Sequence, residues 1–401
     1  MTDGAQELRT LERAWDEKAA KDLIWELTVA IWRAGGPDEQ MRARAARLRR
    51  LLQGRLAAAQ APREQFRLLN LSCGLEQAVG DRARELELAQ RVVGLAEHAP
   101  DAVDRVRAVF QLAKAWYNCD NCAQTIAWSR EGLRLGRELE RQGAGGEPLR
   151  RLLADQQARF TVRITTVGGL EAEVDQSLAE TIARWEALGD PVGLGDALGL
   201  LAEARMVQGR WEDCVRLSRR ALEAAGYPER TAGTTYALWC GGRALGRLGD
   251  PQTALAWTEH AARLCQEAGN ASGALEACFS HASSLCLAGR HEEALREADA
   301  VARDVLAVKM GVLVHWVALE RAWIRMKIGR PTPPEELAEA YRSCARMGHN
   351  LIGAEALYAQ ASALRLAGRD HRQALEQAAA LFERFQMTWH LRMARNGALL
   401  L

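Results

Sequence analysis

Apolar residues at Leu48, Leu51, Leu52 and Leu56 alternate with Arg49, Arg50 and Arg55. Intervals of three and four place the leucines on one face of a helix and the arginines on the other, since a helix turns about 100° per residue. The same period runs along the chain in segments broken by a short turn: MVQGRWEDCV, GRLGDPQTAL, CLAGRHEEAL, RMKIGRPTPP and RLAGRDHRQAL. In each, glycine supplies the permissive backbone that ends one helix, and the residues after it open the next. Alternating strand patterns are absent. The one stretch of strand-like composition, Arg159 to Val167 (RFTVRITTV), keeps the register of its helical neighbours and is expected to be helix.

The turn glycines are Gly209, Gly249, Gly289, Gly329 and Gly368, at steps of 40, 40, 40 and 39 residues. Counting back 40 from Gly209 reaches Gly169, and Gly80 and Asp120 are themselves 40 apart. The 49 residues from Asp120 to Gly169 contain RQGAGGEP at 141–148, a loop expected to take up the extra length. A weaker first turn at Gly35, Gly36 and Pro37 completes nine units. The expected layout is N-terminal helices and a weak first repeat at 1–62, repeats two and three at 63–140, the loop at 141–148, repeats four to nine at 149–390, and a tail at 391–401.

Seven residues before each turn a small side chain recurs: Cys73, Ala113, Ala202, Gly242, Ala282, Ala322 and Ala361, with the larger Val162 as the exception. Two helices approach closely only where such a residue sits. Small residues recur again after the turn at Cys214, Ala254, Ala294 and Ala374. A 40-residue period is compatible with tetratricopeptide or HEAT-type repeats. The small-residue columns resemble the first, from Arg63 to about Phe385. The chain is similar to the long-helix variety in the sensor regions of large bacterial transcriptional regulators. The resemblance implies an all-α, right-handed superhelix of about nine helix pairs. Pro331, Pro333 and Pro334 stand where one second helix begins, a place that tolerates proline.

Stacked helix pairs leave a long concave wall, which is a binding surface. In the resembled family, places two, five, nine, twelve and thirteen of the motif face it. Carried over, the early groove shows Arg67, Asn70, Arg107, Lys114, Tyr117, Asn118, Arg159 and Arg163, and is basic. The later groove shows Tyr236, Trp239, Arg243, Phe279, Trp316, Trp323, Tyr358 and Arg365, aromatic with interspersed arginine. The expected partner is a protein or peptide segment, acidic at one end with apolar anchors at the other. A competing reading places Trp316 and Trp323 in the core between helices.

Composition narrows the alternatives. With 48% apolar and 26% charged residues the chain is globular, and 53 basic against 52 acidic residues leave a net charge of +1. No global field draws it to nucleic acid or anionic lipid. Arginine so far exceeds lysine that the codon usage resembles a high-GC bacterial genome. The charged N-terminus lacks an apolar leader, so the expected location is the cytoplasm.

Nine scattered cysteines fit reduced thiols. Cys119 and Cys122 form a CxxC that reads as half a zinc site, a redox pair, or structural thiols at a repeat turn, the last preferred because no second ligand pair and no strand accompany it. Cys278, His281 and Cys286 share a helix, where a hydrogen-bonded histidine is the simpler reading than a ligand. Eight arginines between Arg42 and Arg67, with Glu64 the only acid, either contact phosphates or form the solvated side of the leucine-faced helix, and the second reading is preferred. Phosphate-loop and nucleophile-elbow motifs are absent, and no catalytic residue, cofactor or metal is expected. The leading expectation is a non-catalytic scaffold or adaptor. The rival is a sensor whose curvature responds to a bound peptide or small molecule; the nucleotide-binding or helix-turn-helix domain such regulators carry has no room beside the repeats.

Overall fold

The computed structural model describes residues 8, 10–11, 14–34, 37–169, 171–226, 232–268, 270–308, 311–398 and 400. Among them every regular element is helical and no strand occurs. The chain forms two compact units, residues 1–153 with 269–271 and residues 154–268 with 272–401.

Unit 1 contains α1 (Glu17–Ala34), α2 (Glu39–Ala58), α3 (Pro62–Val79), α4 (Arg82–Gly94), a 3-10 turn (Ala96–His98), α5 (Ala102–Asn118), α6 (Cys122–Arg141) and the first part of α7 (Gly146–Thr166). Leu23, Leu27, Leu48, Leu52 and Leu75 form one buried cluster across α1, α2 and α3. Phe66, Cys73, Leu88, Ala108 and Leu112 form the next, across α3, α4 and α5. Each helix thus spends its apolar stripe on its sequence neighbours, as stacked pairs require. Gly35 and Gly36 of the expected first turn lie outside the described residues.

The long spacing between the third and fourth turns is not taken up by a loop. The connection is only residues 142–145, and the extra length lies in α6 and α7, which run to 20 and 21 residues. The β-branched run inside α7 stays helical because its hydroxyls bond back along the helix, Thr161 Oγ1 to Gln157 O at 2.9 Å and Thr165 Oγ1 to Thr161 O at 2.8 Å.

Unit 2 contains the rest of α7, α8 (Glu171–Leu188), α9 (Pro191–Val207), α10 (Trp211–Ala224), α11 (Ala232–Arg247), α12 (Pro251–Glu267), α13 (Ala271–Leu287), α14 (His291–Val308), α15 (Gly311–Lys327), α16 (Pro334–Met347), α17 (Asn350–Leu366), α18 (Arg372–Arg384) and α19 (Thr388–Arg395). The first part of the expected C-terminal tail therefore belongs to a helix. α16 begins at Pro334 after Pro333 as its cap residue, so the prolines sit where they cost no helical hydrogen bond.

One turn recurs in both units. A left-handed residue ends the first helix, and the next N–H reaches back five residues, as in Asp81 to Glu76 O, Asn121 to Trp116 O, Arg210 to Arg205 O and Arg290 to Leu285 O. Asp120 takes this conformation without being glycine, at φ 54°. In the fourth unit the left-handed residue is Gly168, at φ 81°, and not Gly169. Seven residues before Gly168 stands Thr161, fully buried, which removes the apparent exception at Val162. The same shift moves Arg159 and Arg163 one place along the motif. Cys73, Ala113, Ala202, Ala282, Ala322 and Ala361 are all at most 1% exposed. At Gly242 a Cβ would stand 2.7 Å from Thr258 Cγ2.

Unit 2 also closes on itself. Asn350 Nδ2 donates to Val167 O at 2.7 Å across 183 residues, and Glu171 N donates to Gln386 Oε1 at 2.9 Å across 215. His390 and Trp389 of α19 pack against Gly209, at the turn between α9 and α10. The last helices of unit 2 therefore meet the first turns of the same unit.

Candidate partner-binding site

A first helix turns its small-residue column toward its own partner helix, which leaves places two, nine and thirteen on another face and places five and twelve at the edge between the two. In unit 1 the expected residues at those places keep surface, although Phe110, at place five of α5, is 4% exposed. Arg67, Arg107 and Lys114 are exposed, Asn70 and Asn118 half-buried, and Tyr117 is 41% exposed, one of few large apolar side chains so placed. Arg107 pairs with Asp104 at 2.6 Å and Arg67 with Glu17 at 3.7 Å. Asn118 donates to both oxygens of Glu85 at 3.0 and 3.1 Å. Burial pushes the Glu85 carboxyl up, opposed by that hydrogen bond, so Asn118 is committed to holding an inward acid.

In unit 2 the corresponding side chains fill the space they were expected to line. Trp239, Phe279, Trp323 and Tyr358 are 2%, 3%, 1% and 2% exposed, and Arg243 is 6% exposed. The structure brings them together across successive first helices. Arg243 lies over the Phe279 ring at 4.8 Å, Phe279 stacks with Trp316 at 6.4 Å, and Trp323 meets Tyr358 at 5.7 Å. These five therefore present no surface to a partner; large rings on adjacent first helices bury more area against one another than they would against solvent. For Trp323 the core reading holds. Tyr236 and Trp316 are half-buried and pack on this core. Arg365 is exposed and donates to Gly397 O at 2.7 Å. Arg159 is exposed and paired with Asp155 at 3.0 Å, and Arg163 is half-buried.

The interior of unit 2 is also charged. Glu320 on α15, 2% exposed, accepts from Arg243 Nη2 at 2.7 Å and from Ser283 Oγ, and faces Arg247 Nη2 at 3.5 Å. Glu355 on α17 meets His390 Nε2 at 3.0 Å. Burial lowers Arg247 to about 10, against the pull of Glu320. Arg247, Ser283, Glu355, Glu203 and Glu276 occupy the same motif places as the expected groove residues. Ser283 and the three acids are neither aromatic nor basic, whereas Arg247 is a basic residue at place thirteen. Glu320 lies off those places, and only the fold reveals it.

Glu203 on α9 and Glu276 on α13 are half-covered and repel each other; burial pushes them up to about 8 and about 7. The unfolded chain releases these protons near pH 4.5 while the fold retains them, so stability falls as pH rises from about 4.5 to about 8. Glu203→Gln is expected to stabilise the protein by about 2 kcal/mol at pH 8 and by almost nothing at pH 4, as read from denaturant unfolding at both pH values. Equal effects at the two would show that Glu203 is ionised in the fold.

The remaining candidates have local partners. Cys119 Sγ lies 3.6 Å from Arg82 O and Cys122 is buried; both are thiols, and burial raises Cys119. His281 Nδ1 bonds Glu297 at 2.9 Å. No group of three metal-binding side chains occurs among the described residues. In the arginine-rich stretch, Arg49 Nε donates to buried Glu76 at 2.6 Å and Arg44 reaches Glu26 at 3.2 Å, while Ala45, Leu48 and Leu52 form the buried face of α2. No described helix is long and apolar enough to cross a membrane.

No family model matches the sequence, and no curated protein does. Solved structures do. The apo form of the quorum sensor NprR from B. thuringiensis is 11% identical, with a TM-score of 0.52 over 91% of this chain and 98% of that one. Aspartyl phosphate phosphatase F from Bacillus subtilis is 14% identical, with a TM-score of 0.51 over 86% and 91%. At these identities the likeness establishes the fold, a tetratricopeptide-type helical array.

Proposed function

We propose that this array is a non-catalytic scaffold or adaptor that takes a protein or peptide segment on the first-helix wall of unit 1, formed by α3 and α5. One observation carries the reading: Arg67, Arg107, Lys114 and Tyr117 are exposed, whereas Trp239, Arg243, Phe279, Trp323 and Tyr358 of unit 2 are buried. An acidic partner suits this wall. The Arg107–Asp104 pair is exposed, and such pairs contribute only about 0.2–1 kcal/mol, so a partner's carboxylate exchanges for Asp104 at little cost. Tyr117 offers the apolar anchor, a residue type common among binding hot spots.

The test is capture of partners by the full chain and by the variants Arg107→Glu, Lys114→Glu and Tyr117→Ala. A partner held by the parent is expected to bind at least about tenfold more weakly to each variant, with the thermal midpoint unchanged. Undiminished capture by all three would remove the wall from consideration.

A second reading, a ligand sensor, is favoured by the closure of unit 2. Contacts such as Glu171 to Gln386 join elements far apart in sequence and give that unit a seam able to open. The same fold serves a quorum sensor in B. thuringiensis.

A further inference from the structure

Where α19 meets the turn between α9 and α10, unit 2 holds a cavity of about 670 Å³, within the range of small-molecule sites. Its wall includes Arg210, Trp211, Arg247, Leu248, Trp389 and Arg392, drawn from the start of α10, the end of α11 and α19. Trp211 and Trp389 meet edge to face at 5.1 Å, and the Arg247 guanidinium stands 6.0 Å from each ring.

The Arg247 side chain is 4% exposed, and its Nε and Nη1 have no acceptor among the described residues. Trp211 Nε1 is likewise buried without one. These three donors belong to two residues that line the cavity, and each is costly while it lacks an acceptor. Arg210, the cap residue before α10, makes no side-chain cap hydrogen bond, and the first turn of that helix lines the cavity. Arg392 is exposed and forms no ion pair among the described residues.

We infer that this cavity binds a carboxylate carried on a flat apolar body, the carboxylate on Arg247 and Arg392 and the body against Trp211 and Trp389. The guanidinium fork matches a carboxylate, and two indoles match a flat ring. A dianion such as phosphate is disfavoured, because Glu212 and Asp213 also line the cavity. The site is separate from the α3 and α5 wall and stands or falls independently of it. Since α10, α11 and α19 must be in place to form it, an occupant holds the seam of unit 2 closed.

Phenylacetate is the probe, with phenylacetamide as its neutral counterpart and inorganic phosphate as the simple anion, titrated calorimetrically into the full chain. Phenylacetate is expected to saturate one site and raise the thermal midpoint, with phenylacetamide at least about tenfold weaker. Arg392→Gln, on the exposed rim, weakens phenylacetate by a similar factor without altering the unliganded midpoint; Arg247→Lys, which keeps the charge but loses the fork, weakens it as well. The proposal is overturned if no saturable binding is found, if the amide binds equally, if phosphate binds more tightly than phenylacetate, or if Arg392→Gln binds like the parent.

Discussion

Glu320→Ala is expected to lower the unfolding free energy by about 3–5 kcal/mol, the usual result of removing one partner from a buried ion cluster. The carboxylate is 2% exposed and serves Arg243, Arg247 and Ser283 together. Without it, two guanidinium groups stay in a low-dielectric interior with Glu355, itself bonded to His390, left to offset them. Each already has two nitrogens lacking an acceptor, so neither has a spare hydrogen bond to fall back on. Glu320→Gln retains an acceptor and is expected to fall between parent and alanine. Replacing the cluster together, as Arg243→Met, Arg247→Met and Glu320→Leu, removes the orphaned charges and is expected to recover most of the loss. Denaturant unfolding at neutral pH reads all three. A loss below about 1 kcal/mol for Glu320→Ala would mean that water reaches the cluster.

Gly233→Ala is expected to cost about 3 kcal/mol, at the upper end for overpacking, because the atoms in its way belong to the main chain. A Cβ at Gly233 would lie 2.5 Å from Gly195 O and 2.6 Å from Asp196 N, and Gly233 N donates to Asp196 Oδ1 at 2.6 Å. At Gly199 a Cβ would in turn stand 2.7 Å from Gly233 O. No rotamer change relieves such a contact, so α9 and α11 must part. Gly54, inside α2 with nothing within 4 Å of its would-be Cβ, provides the control. Gly54→Ala is expected to stabilise by about 0.5–1 kcal/mol through helix propensity. Thermal unfolding distinguishes the pair, and a neutral Gly233→Ala would contradict the close crossing of α9 and α11.

The turns were legible in the sequence because each depends on a few adjacent residues: a left-handed position, a small side chain seven residues earlier, and a cap. Asp120 was found by spacing although it is not glycine. Gly168 was missed by one place because two glycines are adjacent and only the backbone shows which is left-handed. The groove was legible as a register and not as a surface. Trp239, Phe279, Trp323 and Tyr358 were placed on the first-helix wall, but whether such rings face a partner or each other depends on the closure of unit 2. That closure rests on Asn350 with Val167 and Gln386 with Glu171, pairs with no local signal. The glycine crossing at Gly195, Gly199 and Gly233 was invisible for the same reason. Arg247, Glu203, Glu276 and Glu355 were within reach, since they share the wall's motif places.

The proposed function rests on the difference between Trp239, Arg243, Phe279, Trp323 and Tyr358, buried in unit 2, and Arg67, Arg107, Lys114 and Tyr117, exposed in unit 1. The most direct test is amide hydrogen exchange on the full chain with and without a captured partner. The account predicts new protection in α3 and α5, around Arg67 to Asn70 and Arg107 to Asn118, with α11, α13, α15 and α17 unchanged. Protection confined to those four helices, with α3 and α5 exchanging as before, would contradict it.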